Sequence, residues 1–131
     1  MYETHLLTDV DCRSMWEHGK KTGYCVNIRI NYYRGLPISC VDEISLEVDG
    51  EKIAPEDMSV QLHGYEFPYP FILSDNAPTD IYWRHGELMR VIIHRPGGIR
   101  QGRHHVKLTL GTRRSYTPTM VDTCEKDLTF A

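Results

Sequence analysis

Gly23-Tyr24-Cys25-Val26-Asn27-Ile28-Arg29-Ile30-Asn31-Tyr32 alternates apolar and polar side chains along its whole length. Successive side chains of a strand point to opposite faces. Tyr24, Val26, Ile28, Ile30 and Tyr32 therefore share one face, and Cys25, Asn27, Arg29 and Asn31 share the other. The pattern predicts a half-buried antiparallel strand, opened by Gly23 and closed by Gly35.

The same period recurs on both sides of a turn signal downstream. Ile44, Leu46 and Val48 alternate with Ser45 and Glu47, and Asp49-Gly50 follows, a strong two-residue hairpin signal. The return strand starts at Glu51 and is cut short by Pro55. Ser59–Leu62 and Tyr65–Phe67 form a second predicted hairpin across His63-Gly64. Pro68 to Asp80 carries Pro68, Pro70, Pro78 and several turn formers, so it reads as a loop with a helical turn near Phe71-Ile72-Leu73. Leu88–His94 is a strand with Met89, Val91 and Ile93 on one face. Ile92 interrupts its polar face and predicts partial cover there. Val106, Leu108 and Leu110 mark a further inward face. Arg113–Tyr116 extends this strand or forms another, stopped by Pro118, and Met120–Ala131 supplies a last one. No window holds an apolar stripe of helical period over three turns. Seven to nine short strands predict an all-β antiparallel sandwich or flattened barrel, with residues 1–131 as a single domain.

Composition narrows the function classes. The chain has 131 residues, 40% of them apolar and 25% charged, enough for one core without staples. Net charge is -3 with no basic run, which argues against nucleic acid as a partner. No apolar stretch reaches the ~18–20 residues that span a bilayer. Met1-Tyr2-Glu3-Thr4-His5 lacks the basic start and apolar run of a secretory signal. Cys12, Cys25, Cys40 and Cys124 are widely spaced, with no C-x-x-C pair, and no Asn-x-Ser/Thr acceptor occurs. A cytoplasmic chain with reduced thiols is the expectation.

The usual catalytic signatures are missing. Gly97, Gly98 and Gly102 fit neither a dinucleotide loop nor a P-loop, and there is no G-x-S-x-G. Cys40 has no partner base of recognisable spacing. His104 and His105 are strand neighbours and face opposite ways, so they do not share an ion. His85 and Glu87, or His94, lack the spacing of a metal site. Asp42, Glu43, Glu47, Asp49 and Glu51 read as a charged hairpin surface rather than a glycosidase pair. No catalytic and no metal-ligating residue is expected in this chain.

Three stretches stand out instead. Asn31-Tyr32-Tyr33-Arg34-Gly35-Leu36-Pro37 puts two tyrosines and an arginine at a strand end, and these residue types anchor interfaces and stack on flat rings and sugars. Trp83-Arg84-His85-Gly86-Glu87 lies between the proline-rich loop and a strand. Its bland reading is Trp83 as a core plug. Arg113-Arg114-Ser115-Tyr116-Thr117-Pro118 is again basic and aromatic.

In this order, together with the hairpin Ile44–Glu51, Pro96-Gly97-Gly98-Ile99, Gly102, His104-His105 and the opening Tyr2–Leu7, these stretches resemble the small β subunit of bacterial C-glycoside deglycosidases. The resemblance covers nearly the whole chain. It implies a β-sandwich that pairs with a larger TIM-barrel, epimerase-like α subunit holding a divalent metal, usually manganese, and acting on 3-oxo-C-glycosides of flavonoid-type aglycones. Metal and base then belong to the partner, and no cofactor is expected here. Tyr32, Tyr33 and Arg34 are the first candidates for the partner interface or substrate pocket, with Trp83 and His85 second. A free-standing carbohydrate-binding sandwich and a small enzyme with its own metal are the competing readings.

Overall fold

The computed structural model describes residues 5–114 and 117–131. Its strands are β1 (Leu7–Glu17), β2 (Lys20–Ile28), β3 (Leu36–Pro37), β4 (Val41–Val48), β5 (Glu51–Lys52), β6 (Met58–Leu62), β7 (Tyr65–Pro68), β8 (Tyr82–Trp83), β9 (Met89–His94), β10 (Gly102–Arg114) and β11 (Thr117–Phe130), with one helical turn, α1 (Tyr69–Ile72). A five-stranded sheet runs β1-β2-β9-β6-β7, a four-stranded sheet runs β11-β10-β4-β5, and β3 pairs with β8. All strand pairings among the described residues are antiparallel, and neither large sheet closes on itself there. The fold is an all-β sandwich. Three of the strands are two-residue pairings, which leaves eight longer ones.

The core lies between the two sheets. Tyr24, Val26 and Ile28 of β2 and Met89, Val91 and Ile93 of β9 face Ile44, Leu46 and Val48 of β4 and Val106, Leu108 and Leu110 of β10. Period-two alternation makes one buried face per strand, and stacking two such faces removes both from water. Cys12, Cys25 and Cys124 are buried free thiols, and burial pushes the Cys12 thiol up to about 11.

β2 departs from its expected role. Its polar face is covered as well: Cys25 is 0% and Asn27 5% exposed. The cover comes from a bulge in β1. Thr8 pairs with Asn27 but Arg13 with Cys25, so Asp9 to Cys12 stand opposite a single β2 residue. Asp11 sits at φ 53 in the bulge. The Asn27 amide donates to the Val10 carbonyl at 2.7 Å, and the Cys25 thiol donates to the Asp11 carbonyl. Ile92, paired with Cys25 across the sheet, is buried under the same roof. Regular pairing also ends at Ile28, four residues before Tyr32, although Ile30 stays buried.

Three two-residue hairpins carry positive φ at both central positions, His18-Gly19, Asp49-Gly50 and His63-Gly64, the geometry that suits the twist of the flanking strands. The two downstream turns fall where the sequence places them. β11 runs through Pro118, because an edge strand tolerates the missing N–H. Ser115 and Tyr116 lie outside the described residues. His104 faces inward and is buried, while His105 faces out against Asp127 and Glu125. Hydrogen bonds donated to those carboxylates, that to Asp127 foremost, raise the pKa of His105. No helix is long and apolar enough to cross a membrane.

Two bonds tie turns to strands and can be tested. The Tyr69 hydroxyl accepts the buried Ile44 N–H at 2.8 Å, so α1 is fixed to the start of β4. Tyr69→Phe strands that N–H, and a loss of about 1–3 kcal/mol in urea denaturation is expected. Asp49 accepts from the His104 ring at 2.5 Å and from the His105 N–H at 3.0 Å, and these bonds hold its carboxyl below the ordinary value of 3.8. A carboxyl with a depressed folded pKa stabilises the fold above its unfolded value. That contribution is lost as pH falls through the folded value. Asp49→Asn keeps a residue suited to positive φ, so it is expected to be less stable than the parent at neutral pH. The gap should close as pH is lowered through and below 3.8.

Candidate functional site

The chain leaves β2 at one end of the sandwich and turns across the ends of β10 and β11. Asn31 makes that crossing. Its amide donates to the buried Asp122 carboxylate at 2.8 Å, its side-chain oxygen accepts from Thr112 at 2.8 Å, and its carbonyl accepts from the Arg114 guanidinium at 2.6 Å. Held this way, residues 32 to 34 build a ladder on the surface. The Arg114 guanidinium lies 4.3 Å from the Tyr32 ring centre, Tyr32 meets Tyr33 edge to face at 5.1 Å, and Arg34 sits 5.4 Å from the Tyr33 ring centre. Tyr32 packs partly on the core, while Tyr33 is 66% exposed.

Gly35 then turns the chain into β3. Its φ is +71, and an added Cβ would lie 2.5 Å from the Trp83 carbonyl oxygen and 2.8 Å from the Arg84 Cα. That close approach brings the 31–37 and 82–87 stretches together. Tyr82 strengthens the join, donating its hydroxyl toward the Arg34 and Gly35 carbonyls. Trp83 is fully buried, and its indole N–H donates to the Glu87 carbonyl at 2.9 Å. It is a core plug that shapes the turn, and no face of it reaches the surface. His85 is exposed on that turn. Glu87 is committed to the Arg84 N–H and to His63, and does not join His85.

Two open grooves mark the surface, and the first borders the ladder at Arg114. One, of about 520 Å3, lies between Cys40, Asp42, Leu73, Thr79, Arg113 and Arg114. The other, of about 460 Å3, runs over the outer face of the five-stranded sheet, with Asn27, Gln61 and Arg90 in its lining beside the β1 bulge and His63. The ladder is built of phenol rings and guanidinium groups, which offer stacking faces and hydrogen-bond donors. Among the described residues no three His, Cys, Asp or Glu side chains come together in a way that could hold a metal.

Comparison with known proteins decides the lineage. The family described as C-glycoside deglycosidase beta subunit matches residues 2–116. This chain belongs to the C-glycoside deglycosidase beta subunit family. It is similar to a C-glycoside deglycosidase beta subunit of Eubacterium cellulosolvens, 27% identical over 104 residues, which is 79% of this chain and 69% of that protein. It is also similar to a 3'-dehydrocarminate deglycosidase beta subunit of a Microbacterium species, 29% identical over 99 residues, covering 75% of this chain and 71% of that protein. The match takes in the whole ladder and the 82–87 turn.

Sequence reasoning missed two surface features of this family member. Trp16 is 62% exposed near the β1–β2 turn, with the Lys21 ammonium 5.4 Å from its ring centre. Tyr65, Phe67 and Phe71 stack in a row along the β7 edge. The signal for the first was a Trp two residues before His18-Gly19, and for the second three aromatics either side of Pro68. Arg114 was visible as a basic residue beside aromatics, but its stacking on Tyr32 needed the fold.

The ladder and its support separate by mutation. Tyr33→Ala and Arg34→Ala remove exposed atoms and are expected to change unfolding free energy by no more than about 0.5 kcal/mol. Gly35→Ala forces a Cβ into backbone at a positive φ and is expected to cost about 1–3 kcal/mol. Thermal melting followed by circular dichroism distinguishes the two classes.

Proposed function

We propose that this chain is the β subunit of a heteromeric C-glycoside deglycosidase and that the Arg114–Tyr32–Tyr33–Arg34 ladder, with the neighbouring His85 turn, faces the larger subunit or the substrate. Family membership over residues 2–116 is the observation that carries the reading. The residue types at the ladder support the surface assignment, since Tyr and Arg dominate the buried centres of protein interfaces.

The larger subunit in this reading is a TIM-barrel, epimerase-like protein with a divalent metal, manganese being the first choice. The substrate is a 3-oxo-C-glycoside of a flavonoid-type aglycone. A carbon–carbon glycosidic bond offers no leaving oxygen to protonate. The ketone at C3 instead acidifies the hydrogen on C2. A base removes that proton, the C1–C2 double bond forms, and the bond from C1 to the aglycone carbon breaks. Its electron pair stays on the aglycone, which takes up a proton. In this reading the larger subunit holds the metal, and the described residues of this chain present no converging set of metal ligands. Its own contribution is to bury and order the partner's site and to line the aglycone side with Tyr32, Tyr33 and Arg34. Trp83 acts from beneath by fixing the turn. The complex works in the cytoplasm.

Co-expression with an epimerase-like α subunit tests the proposal. Co-elution on size exclusion is expected, with aglycone release from a 3-oxo-C-glucoside and manganese only when both chains are present. Tyr33→Ala with Arg34→Ala is expected to weaken assembly or turnover at least tenfold while leaving the melting temperature unchanged. A lone monomer that ignores the partner overturns the subunit reading. Intact assembly and turnover in the double variant overturn the ladder assignment alone.

A further inference from the structure

At the opposite end of the sandwich from the ladder, a cavity of about 250 Å3 opens where the sheets meet the loop that follows β9. Its lining includes Tyr24, Asp49, Glu51, Arg95, Arg100 and His104. Tyr24 is 1% exposed, and its buried hydroxyl has no hydrogen-bond partner. The Arg95 guanidinium beside that hydroxyl only donates, and the Glu51 and Asp49 carboxylates act on the hydroxyl without bonding to it, so the O–H lacks an acceptor. Burial pushes the hydroxyl up to about 12, so it keeps its proton. A buried donor without an acceptor is uncommon in a native fold and asks for an explanation.

The other groups in the cavity show what is missing. Asp49 is engaged by His104 at 2.5 Å and by the His105 N–H. The second ring nitrogen of His104 lies 2.7 Å from the Arg100 carbonyl. Glu51 accepts from Arg95 at 3.0 Å. Both carboxylates are thus matched by a basic group. Among the described residues the Arg100 guanidinium has no hydrogen-bond or ion-pair partner, and Arg95 has N–H groups to spare. The unmet demand is for acceptor oxygen with negative charge, beside two guanidinium groups and one buried hydroxyl.

The loop that frames the cavity is held in place without a ligand. Arg95 N–H bonds to Thr22, Gly97 N–H to Lys21 and Gly98 N–H to Arg95. The Ser14 hydroxyl bonds to both the N–H and the carbonyl of Ile99, at 3.0 Å each. Gly98 approaches so closely that a Cβ would lie 2.6 Å from the Ser14 oxygen. A site whose backbone frame is already fixed loses less ordering entropy when it binds.

We propose that this cavity binds a small oxyanion, a carboxylate or phosphate group, between Arg100, Arg95 and the Tyr24 hydroxyl. Its volume lies below the ~300–1,000 Å3 of sites for drug-sized molecules, so an aglycone-bearing glycoside does not fit. The inference is independent of the ladder and of the deglycosidase reading.

The test is an NMR titration of the full chain with sodium acetate, sodium phosphate and D-glucose, at ionic strength fixed with chloride. Saturable amide shifts confined to residues 95–104 are expected with acetate, phosphate or both, and none with glucose. Acetate alone identifies a planar carboxylate, phosphate alone a tetrahedral anion, and either supports the site. Tyr24→Phe removes an unpartnered hydroxyl. It is expected to melt no lower than the parent and to bind roughly five- to tenfold more weakly. Arg100→Gln, at an exposed position, is expected to weaken binding at least tenfold. The proposal is overturned by the absence of saturable shifts with both anions, by glucose binding as well as the anions, or by unchanged anion affinity in Arg100→Gln. If Tyr24→Phe lowers the melting temperature, the hydroxyl has a structural role and its part in the site is overturned.

Discussion

One asparagine joins the two halves of this molecule at the end that carries the ladder. Asn31 leaves the five-stranded sheet and bonds to Thr112 on β10 and Asp122 on β11. Thr112 is fully buried and Asp122 nearly so. Polar groups in such a place are stable only when matched, and each of the two residues finds a partner in Asn31. The same residue receives Arg114 on its carbonyl, which sets the guanidinium over Tyr32. The surface arrangement of two tyrosines and two arginines therefore depends on a junction beneath it. A ladder hung on a free loop would be costly to order on binding. Hung on Asn31, it is ordered already.

The parts of the fold that the sequence made legible are those where local rules and tertiary packing agree. Val48-Asp49-Gly50 and Leu62-His63-Gly64 announce their turns because positive φ at two successive residues narrows the choice of sequence. Met89, Val91 and Ile93 announce β9 by alternation, and Ile92 correctly signals cover on the other face. β1 stayed hidden for a physical reason. Its bulge breaks the two-residue period between Thr8 and Arg13, and from the bulge onward its buried positions are Cys12 and Ser14 rather than large apolar side chains. The roof over Cys25 and Asn27 was invisible with it, so β2 read as half-buried. At the candidate site, Tyr32, Tyr33 and Arg34 were legible as residue types. Their stacking with Arg114, some eighty positions away along the chain, was not. Trp83 was singled out correctly as unusual, but its importance lies in what it supports.

The sandwich divides its surface by chemistry. The ladder end offers stacked rings, cations and a turn fixed by a buried tryptophan, which suits a broad contact with another macromolecule. The groove beside Arg114 is open rather than enclosed, so a second surface laid against it would complete its walls. Membership of a β subunit family fits that incompleteness. The far end is narrower, with its carboxylates already matched and its loop pinned by Ser14. The two ends lie at opposite extremities of β10, whose long run gives the protein a rigid axis between them.

The seam between β1 and β11 bears on how the chain is made. Thr129 N–H bonds to Asp9, and Ala131 N–H bonds to the Cys12 carbonyl, so the first strand is closed by the last. During synthesis, β1 and β2 emerge long before that cover exists. β9, which pairs with β2, emerges before β10 and β11, so the first sheet assembles while its apolar face is still open to water and to other chains. Closing the seam also requires contacts between residues over a hundred positions apart, which slows folding by its loop entropy alone. A nascent chain of this topology spends its exposed interval needing protection, and a partner or chaperone that covers the open face early would shorten it.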